Sequence, residues 1–294
     1  LLKKPQNKKE GVYIMKKKIN LTFALVILLV ISIVSFGSVF LLLLMNPAVR
    51  FSDREGSAYG TSEKEIDAEN INEVYLNNIS MCGIDISTYE GEKIKLIYTD
   101  SSKFGVDTQV SDERLDVEIS EKRGFMIDIF GRVGRTVKIK LPNTYKGALT
   151  IKSDAGSTDI YGDYTDINID SDAGAIDFKG TADSLIVDCD AGHIDVKAKL
   201  GSADIKSDVG AVNLKLEGEL KGKYTIESDV GSVDVRLPED ADVFAEVSTD
   251  IGSIDNRYKF ENIEIDKGSY FRAKNKEGKA DLNISTNVGS VDIE

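Results

Sequence analysis

Glycines 156, 174, 192, 210, 231, 252 and 289 recur at spacings of 18, 18, 18, 21, 21 and 37 residues, each inside a near-copy of the segment SDAGSTDI that begins at Ser153. Such a repeat constrains the fold more tightly than any local propensity. A unit of this length cannot bury an apolar face alone, so neighbouring copies must stack to make a continuous core.

Alignment on the glycines gives clean columns. Three positions before the Gly stand Ser153, Ser171, Cys189, Ser207, Ser228, Thr249 and Thr286, and two positions earlier stand Ile151, Ile169, Val187, Ile205, Ile226, Val247 and Ile284. Immediately before the Gly come Ala155, Ala173, Ala191, Val209, Val230, Ile251 and Val288. Two after it come Thr158, Ile176, Ile194, Val212, Val233, Ile254 and Val291, and four after it Ile160, Phe178, Val196, Leu214, Val235, Asn256 and Ile293. Apolar residues alternate with Asp, Lys and Asn, the period of a half-buried strand, with one short strand on each side of the Gly. Like residues would stack about 4.8 Å apart from coil to coil. The expected fold is all-β: a parallel β-helix or β-solenoid with 18–21-residue coils. The apolar columns should form its interior, and the Ser/Thr/Cys ladder should mark the bend.

Two acidic columns lie between the apolar ones. Asp154, Asp172, Asp190, Asp208, Asp229 and Asp250, with Asn287, stand two before the Gly. Asp159, Asp177, Asp195, Asp234, Asp255 and Asp292, with Asn213, stand three after it. Asp before Gly suits an Asx-turn, its carboxylate taking local N–H groups while the Gly takes positive φ. The rival reading is a ladder of cation sites along Asp154, Asp172, Asp190, Asp208, Asp229 and Asp250. Calcium needs six to eight oxygens per site, however, and calcium-binding β-rolls use a shorter, multi-glycine unit.

The stretch VKIKLPNTYKGALTIKSDAGSTDI (137–160) carries a strand ending in Leu-Pro, a second strand, then Ser-x-x-Gly and an Asp/apolar strand, echoed by VDVRLPEDADVFAEVSTDIGSID (233–255). This resembles the bacterial putative-adhesin family, a domain of unknown function, over residues 66–294. The resemblance implies a right-handed β-strand-repeat fold and anchoring in Gram-positive envelopes. It also implies association with stress regulators of the Lia type, and it brings no active site with it.

The N-terminal region reads differently. Residues 19–49 contain no charge, follow Lys16, Lys17 and Lys18, and exceed the about 20 apolar residues that span a bilayer. A transmembrane helix is expected over 19–45, with a basic cytoplasmic tail at 1–18, a stalk at 46–65 and the domain at 66–294 outside the cell. The apolar run outlasts a cleavable signal core. Met15 is the expected translation start, because Lys9-Glu10-Gly11 can be encoded as a ribosome-binding sequence. Within the domain, 66–148 should hold irregular early coils and 149–294 the regular repeats.

Residues 51–294 carry 29 basic and 49 acidic residues, which disfavours nucleic acid and anionic lipid as direct partners. The cysteines, Cys82 and Cys189, stand far apart and are expected to be free thiols. His193 is the sole histidine, and this leaves no zinc set of the usual kind and no nucleophile–His pair. No cofactor is expected. EKRGFMIDIFGRVGRT (121–136) gathers Arg123, Arg132 and Arg135 around Phe125 and Phe130, which is a candidate partner patch within an acidic domain. The last motif runs to Glu294, so either segment 257–281 or another molecule, including a second copy, is expected to cover the end of the stack. The function these features point to is non-catalytic: envelope interaction, adhesion or envelope-stress scaffolding. The alternatives are a polysaccharide-acting β-helix enzyme and a calcium-binding surface repeat.

Overall fold

β-Branched residues on alternate positions favour pleated strands that pack one face inward. In the computed structural model every regular element among the described residues is a strand, and these seventeen join one sheet. Residues 60–99, 104–121 and 135–294 are described, within one compact unit, Tyr59–Glu294. The expected membrane span, tail and most of the stalk lie outside the described residues. Among the described residues no helix is long and apolar enough to cross a membrane.

In chain order the strands are β1 (Thr61–Asp67), β2 (Glu73–Asn78), β3 (Gly83–Tyr89), β4 (Lys93–Thr99), β5 (Phe104–Ser111), β6 (Arg114–Glu121), β7 (Thr136–Pro142) and β8 (Ala148–Ser153). Then comes β9 (Thr158–Leu216), which winds through successive coils without a break. After it follow β10 (Lys223–Val230), β11 (Val233–Arg236), β12 (Val243–Ile251), β13 (Ile254–Asn256), β14 (Asn262–Asp266), β15 (Tyr270–Lys274), β16 (Ala280–Val288) and β17 (Val291–Ile293).

In the middle of the stack, each residue pairs in parallel with its equivalent one repeat away. Ile151 meets Ile169 and Ser153 meets Ser171, 18 residues on; Ile226 meets Ile205 and Val233 meets Val212, 21 residues back. The Ile/Val columns are fully buried, from Ile151 through Ile205 and Ile226 to Val247, and from Val212 through Val233 to Val291. Each such side chain contributes about 1.5–3 kcal/mol relative to exposure. Ser153, Ser171, Cys189, Ser207, Ser228, Thr249 and Thr286 form a buried inner ladder. Asn78 heads it, donating from Nδ2 to Ser153 Oγ and to the Cys82 carbonyl, each at 3.1 Å. Both cysteines are buried and free.

The glycines are fixed by close approach. A Cβ on Gly192 would lie 1.7 Å from the Gly174 carbonyl oxygen, and one on Gly174 would lie 1.8 Å from that of Gly156. At Gly192, therefore, the expected positive φ is not the reason for glycine. Backbone contact from the neighbouring coil is.

At both ends, order in the stack departs from order in the chain. β2 and β3 lie between β6/β7 on one side and β8 with the start of β9 on the other, all parallel. β16 lies between β10 and β12, and β17 between β11 and β13. The final motif is thus an inner coil. Antiparallel strands cover the outer coils: β5 on β6, β4 with β1 on β7, and β15 with β14 on β12. Of the two expected covers for the C-terminal end, segment 257–281 is the one found. Its Phe271 is buried, and Phe260 bridges Tyr258 and Phe271 at ring distances of 4.9 and 5.5 Å.

Candidate interaction surface

The column immediately before the motif glycines corrects the expectation of an all-inward apolar set. Val209, Val230, Val288 and Ile251 are 54, 47, 42 and 68% exposed, and the smaller Ala155, Ala173 and Ala191 continue the same line. The reason is local. Pairing runs Ser228–Ser207 and then Val230–Val209, passing over the intervening Asp, so inside–outside alternation breaks at the corner. The Asp and the residue after it both face out. Because the coils are in register, Val209, Val230, Val288 and Ile251 are consecutive neighbours in the stack. Met81, 65% exposed, stands one residue before Cys82, whose carbonyl faces Gly156, and so begins the line at the other end.

Beside this ridge runs the first acidic column, in spatial order Asp154, Asp172, Asp190, Asp208, Asp229, Asn287 and Asp250, all exposed. The expected Asx-turns do not form. At three corners the amide is bonded to the neighbouring coil: Gly156 N donates to Ala173 O at 3.1 Å, Gly231 N to Val288 O at 3.0 Å and Gly289 N to Ile251 O at 2.9 Å. Among the described residues, Asn287 Nδ2 donates to Asp229 at 2.8 Å, and no cation pairs with any carboxylate of this column. Burial, then Asp208 and Asp172 above and below, push the Asp190 carboxyl up. The six Asp of the proposed cation ladder stand on this line. Among the described residues, no group of three or more His, Cys, Asp or Glu is arranged to hold a metal.

The second acidic column is neutralised along much of its length. Lys179 sits 3.0 Å from Asp177 and Arg236 3.4 Å from Asp234; Arg257 reaches Asp255 at 3.4 Å and Asp292 at 3.1 Å. The two columns were indistinguishable in sequence until the cation two residues further along the chain was counted.

The basic–aromatic patch divides. Arg123, Phe125, Phe130 and Arg132 lie outside the described residues. Arg135 pairs with Glu121 at 3.3 Å and lies 5.8 Å from the Phe104 ring. His193 is exposed and shares a 3.2 Å hydrogen bond with Asn213 of the next coil. An open cavity of about 560 Å³ is lined by Ala68, Ile71, Asn72, Tyr145, Lys146 and Thr165. Two of its polar side chains are engaged: Lys146 pairs with Asp163 at 3.1 Å, and Tyr145 OH, whose pKa burial pushes up, donates to the Ala148 carbonyl at 2.7 Å.

A stack of short parallel coils with outward ladders defines a β-solenoid-like repeat protein. Residues 164–294 match the family described as Toastrack DUF4097, a domain of unknown function, and this part of the chain is similar to that family. No curated protein matches. Among solved structures, the chain is similar to a putative cell adhesion protein from Clostridium sporogenes at 18% identity and a TM-score of 0.34, covering 80% of this chain and 98% of that one. It is also similar to a putative adhesin from Bacteroides fragilis at 11% identity and a TM-score of 0.42, covering 80% and 97%. A putative lipid binding protein from Parabacteroides distasonis matches at 12% and 0.33, with the same coverages.

Proposed function

We propose that this chain is a non-catalytic binding protein of the cell envelope, held by a transmembrane helix at residues 19–45 with residues 66–294 outside the cell, where it acts in adhesion or envelope-stress scaffolding. The observation that carries the reading is the layout of the outward side chains. They repeat once per coil along a line instead of converging on one point, which suits contact with an extended partner and not bond chemistry at a single atom. Two measurements test it. External protease on intact cells should remove the domain, and the purified chain should release no sugar from envelope polysaccharide. Survival of the domain under protease would overturn the topology, and sugar release would overturn the non-catalytic role.

A further inference from the structure

Among the outward lines, the apolar ridge is the one that water should penalise. Four large aliphatic side chains stand in consecutive coils, a contiguous patch of the kind that marks an interaction site. Three features define what fits it. First, apart from Met81 at the far end, the bulk stands at Val209, Val230, Val288 and Ile251, a line of three steps of about 4.8 Å, or about 14 Å. Second, Asp208, Asp229 and Asp250 flank that line on one side with no cation among the described residues paired to them, while Ala211, Ser232, Ser290 and Ser253 flank it on the other, so a partner is met by negative charge and finds no bulky side chain in its way. Third, along the ridge the Gly231 and Gly289 amides and the Val288 and Ile251 carbonyls are bonded within the ladder, so at these corners an added strand would find the backbone already paired.

We propose that this ridge is the docking site for a basic amphipathic helix of a partner protein. A helix satisfies its own backbone, as this surface requires. Its apolar stripe advances about 5.4 Å per turn, close to the coil step, and about ten residues would cover the ridge. Lys or Arg beside the stripe would reach the Asp line, which no cation among the described residues pairs. The proposal rests on the reading of the domain as a binding module, and it names the surface and the chemistry of the partner.

The test uses the full chain and a synthetic helix of about 18 residues with a Leu stripe flanked by Lys, followed by fluorescence anisotropy. The Lys peptide should bind, and a version with Glu in place of Lys should bind at least about tenfold more weakly. Val230→Ser and Ile251→Ser should each weaken binding about tenfold, whereas Val230→Thr, which keeps the β-branched shape, should weaken it less. Asp208→Asn with Asp229→Asn should flatten the loss of affinity between about 50 and 200 mM salt. Equal binding by the ridge variants and wild type would overturn the site while leaving the binding-module reading intact. A chain that is dimeric and becomes monomeric with Val230→Ser would assign the ridge to a second copy and overturn the helix. Protease and sugar-release measurements read the broader function independently of either result.

Discussion

The two ends of the stack solve one problem with opposite chain order. At the N-terminal end the first coil, β2/β3, is held inside, and the later β6/β7 lies beyond it. At the C-terminal end the last coil, β16/β17, is held inside, and the earlier β12/β13 lies beyond it. In both cases the inserted strands gain parallel neighbours on both edges, and an antiparallel strand closes the outermost coil. A chain end at the edge of a sheet frays readily, and an open edge pairs with other chains. Insertion by one coil removes both hazards. The difference lies in the covers. The N-terminal end uses β1, β4 and β5 from three places in the chain, whereas the C-terminal end relies on one local hairpin, β14/β15.

The largest expected effect comes from removing the inserted C-terminal coil. Truncation after Lys279 deletes Leu282, Ile284, Val291 and Ile293, all buried, and strips a parallel neighbour from four strands. At about 1.5–3 kcal/mol per side chain the loss is on the order of a whole domain's stability. Thermal unfolding and limited proteolysis should show β10–β15 unfolded. A matching truncation of β1, an edge strand with little buried surface, should shift the melting temperature by a few degrees at most. Equal effects would break the comparison.

Next in size is the glycine column. Gly192→Ala forces a Cβ into the Gly174 carbonyl with coils fixed on both sides, and should cost several kcal/mol. Gly252→Ala meets the Gly289 carbonyl at 1.8 Å, an equally short approach, but in the outermost coil. With only the hairpin beyond it, that coil can shift outward, so the variant should melt at a higher temperature than Gly192→Ala. The reverse order would mean that the terminal coil is as rigid as the middle.

Replacing residues 259–278 with a short Gly/Ser bridge removes β14/β15 and opens the edge of β12. Light scattering should then show concentration-dependent self-association, with a modest fall in melting temperature. A monomer of unchanged stability would show that the hairpin is not the cap, and that the C-terminal end is closed by β12 alone.

The middle of the molecule was legible in the sequence because there the chain's order is the stack's order. Fixed spacing placed Ile151 over Ile169 and Ser153 over Ser171 without any structural information. The ends were not legible. Nothing local distinguishes a motif that continues the stack from one inserted a coil back, and the 37-residue final spacing marked an insertion without showing its register. The ridge was missed for a different reason. Period-2 counting carried the inward face through Ser207 to Val209, yet the corner intervenes there, and pairing skips the Asp. A small residue, an Asp, an apolar residue and a Gly in succession was the available signal, since a corner tight enough to require Gly cannot keep strict alternation up to it.

The smallest effect tests whether insertion also tunes the acidic line. In the middle, Asp172, Asp190 and Asp208 follow one another; at the C-terminal end the inserted coil brings Asn287 between Asp229 and Asp250 and gives Asp229 a donor. Asp190→Asn should copy that arrangement. The Asp190 carboxyl is raised in the folded chain by burial and by Asp208 and Asp172. A raised carboxyl stabilises the fold when protonated, below its unfolded pKa, and that stability is lost as pH rises through its folded value. Wild type should therefore melt about 1–2 °C below Asp190→Asn at neutral pH, and the gap should close as pH falls through and below the ordinary carboxylate range. Asn287→Asp should do the opposite, lowering the melting temperature at neutral pH by a similar amount. A gap between wild type and Asp190→Asn that stays constant from neutral to acid pH would assign it to shape or hydrogen bonding. The Asn at the inserted coil would then owe nothing to charge.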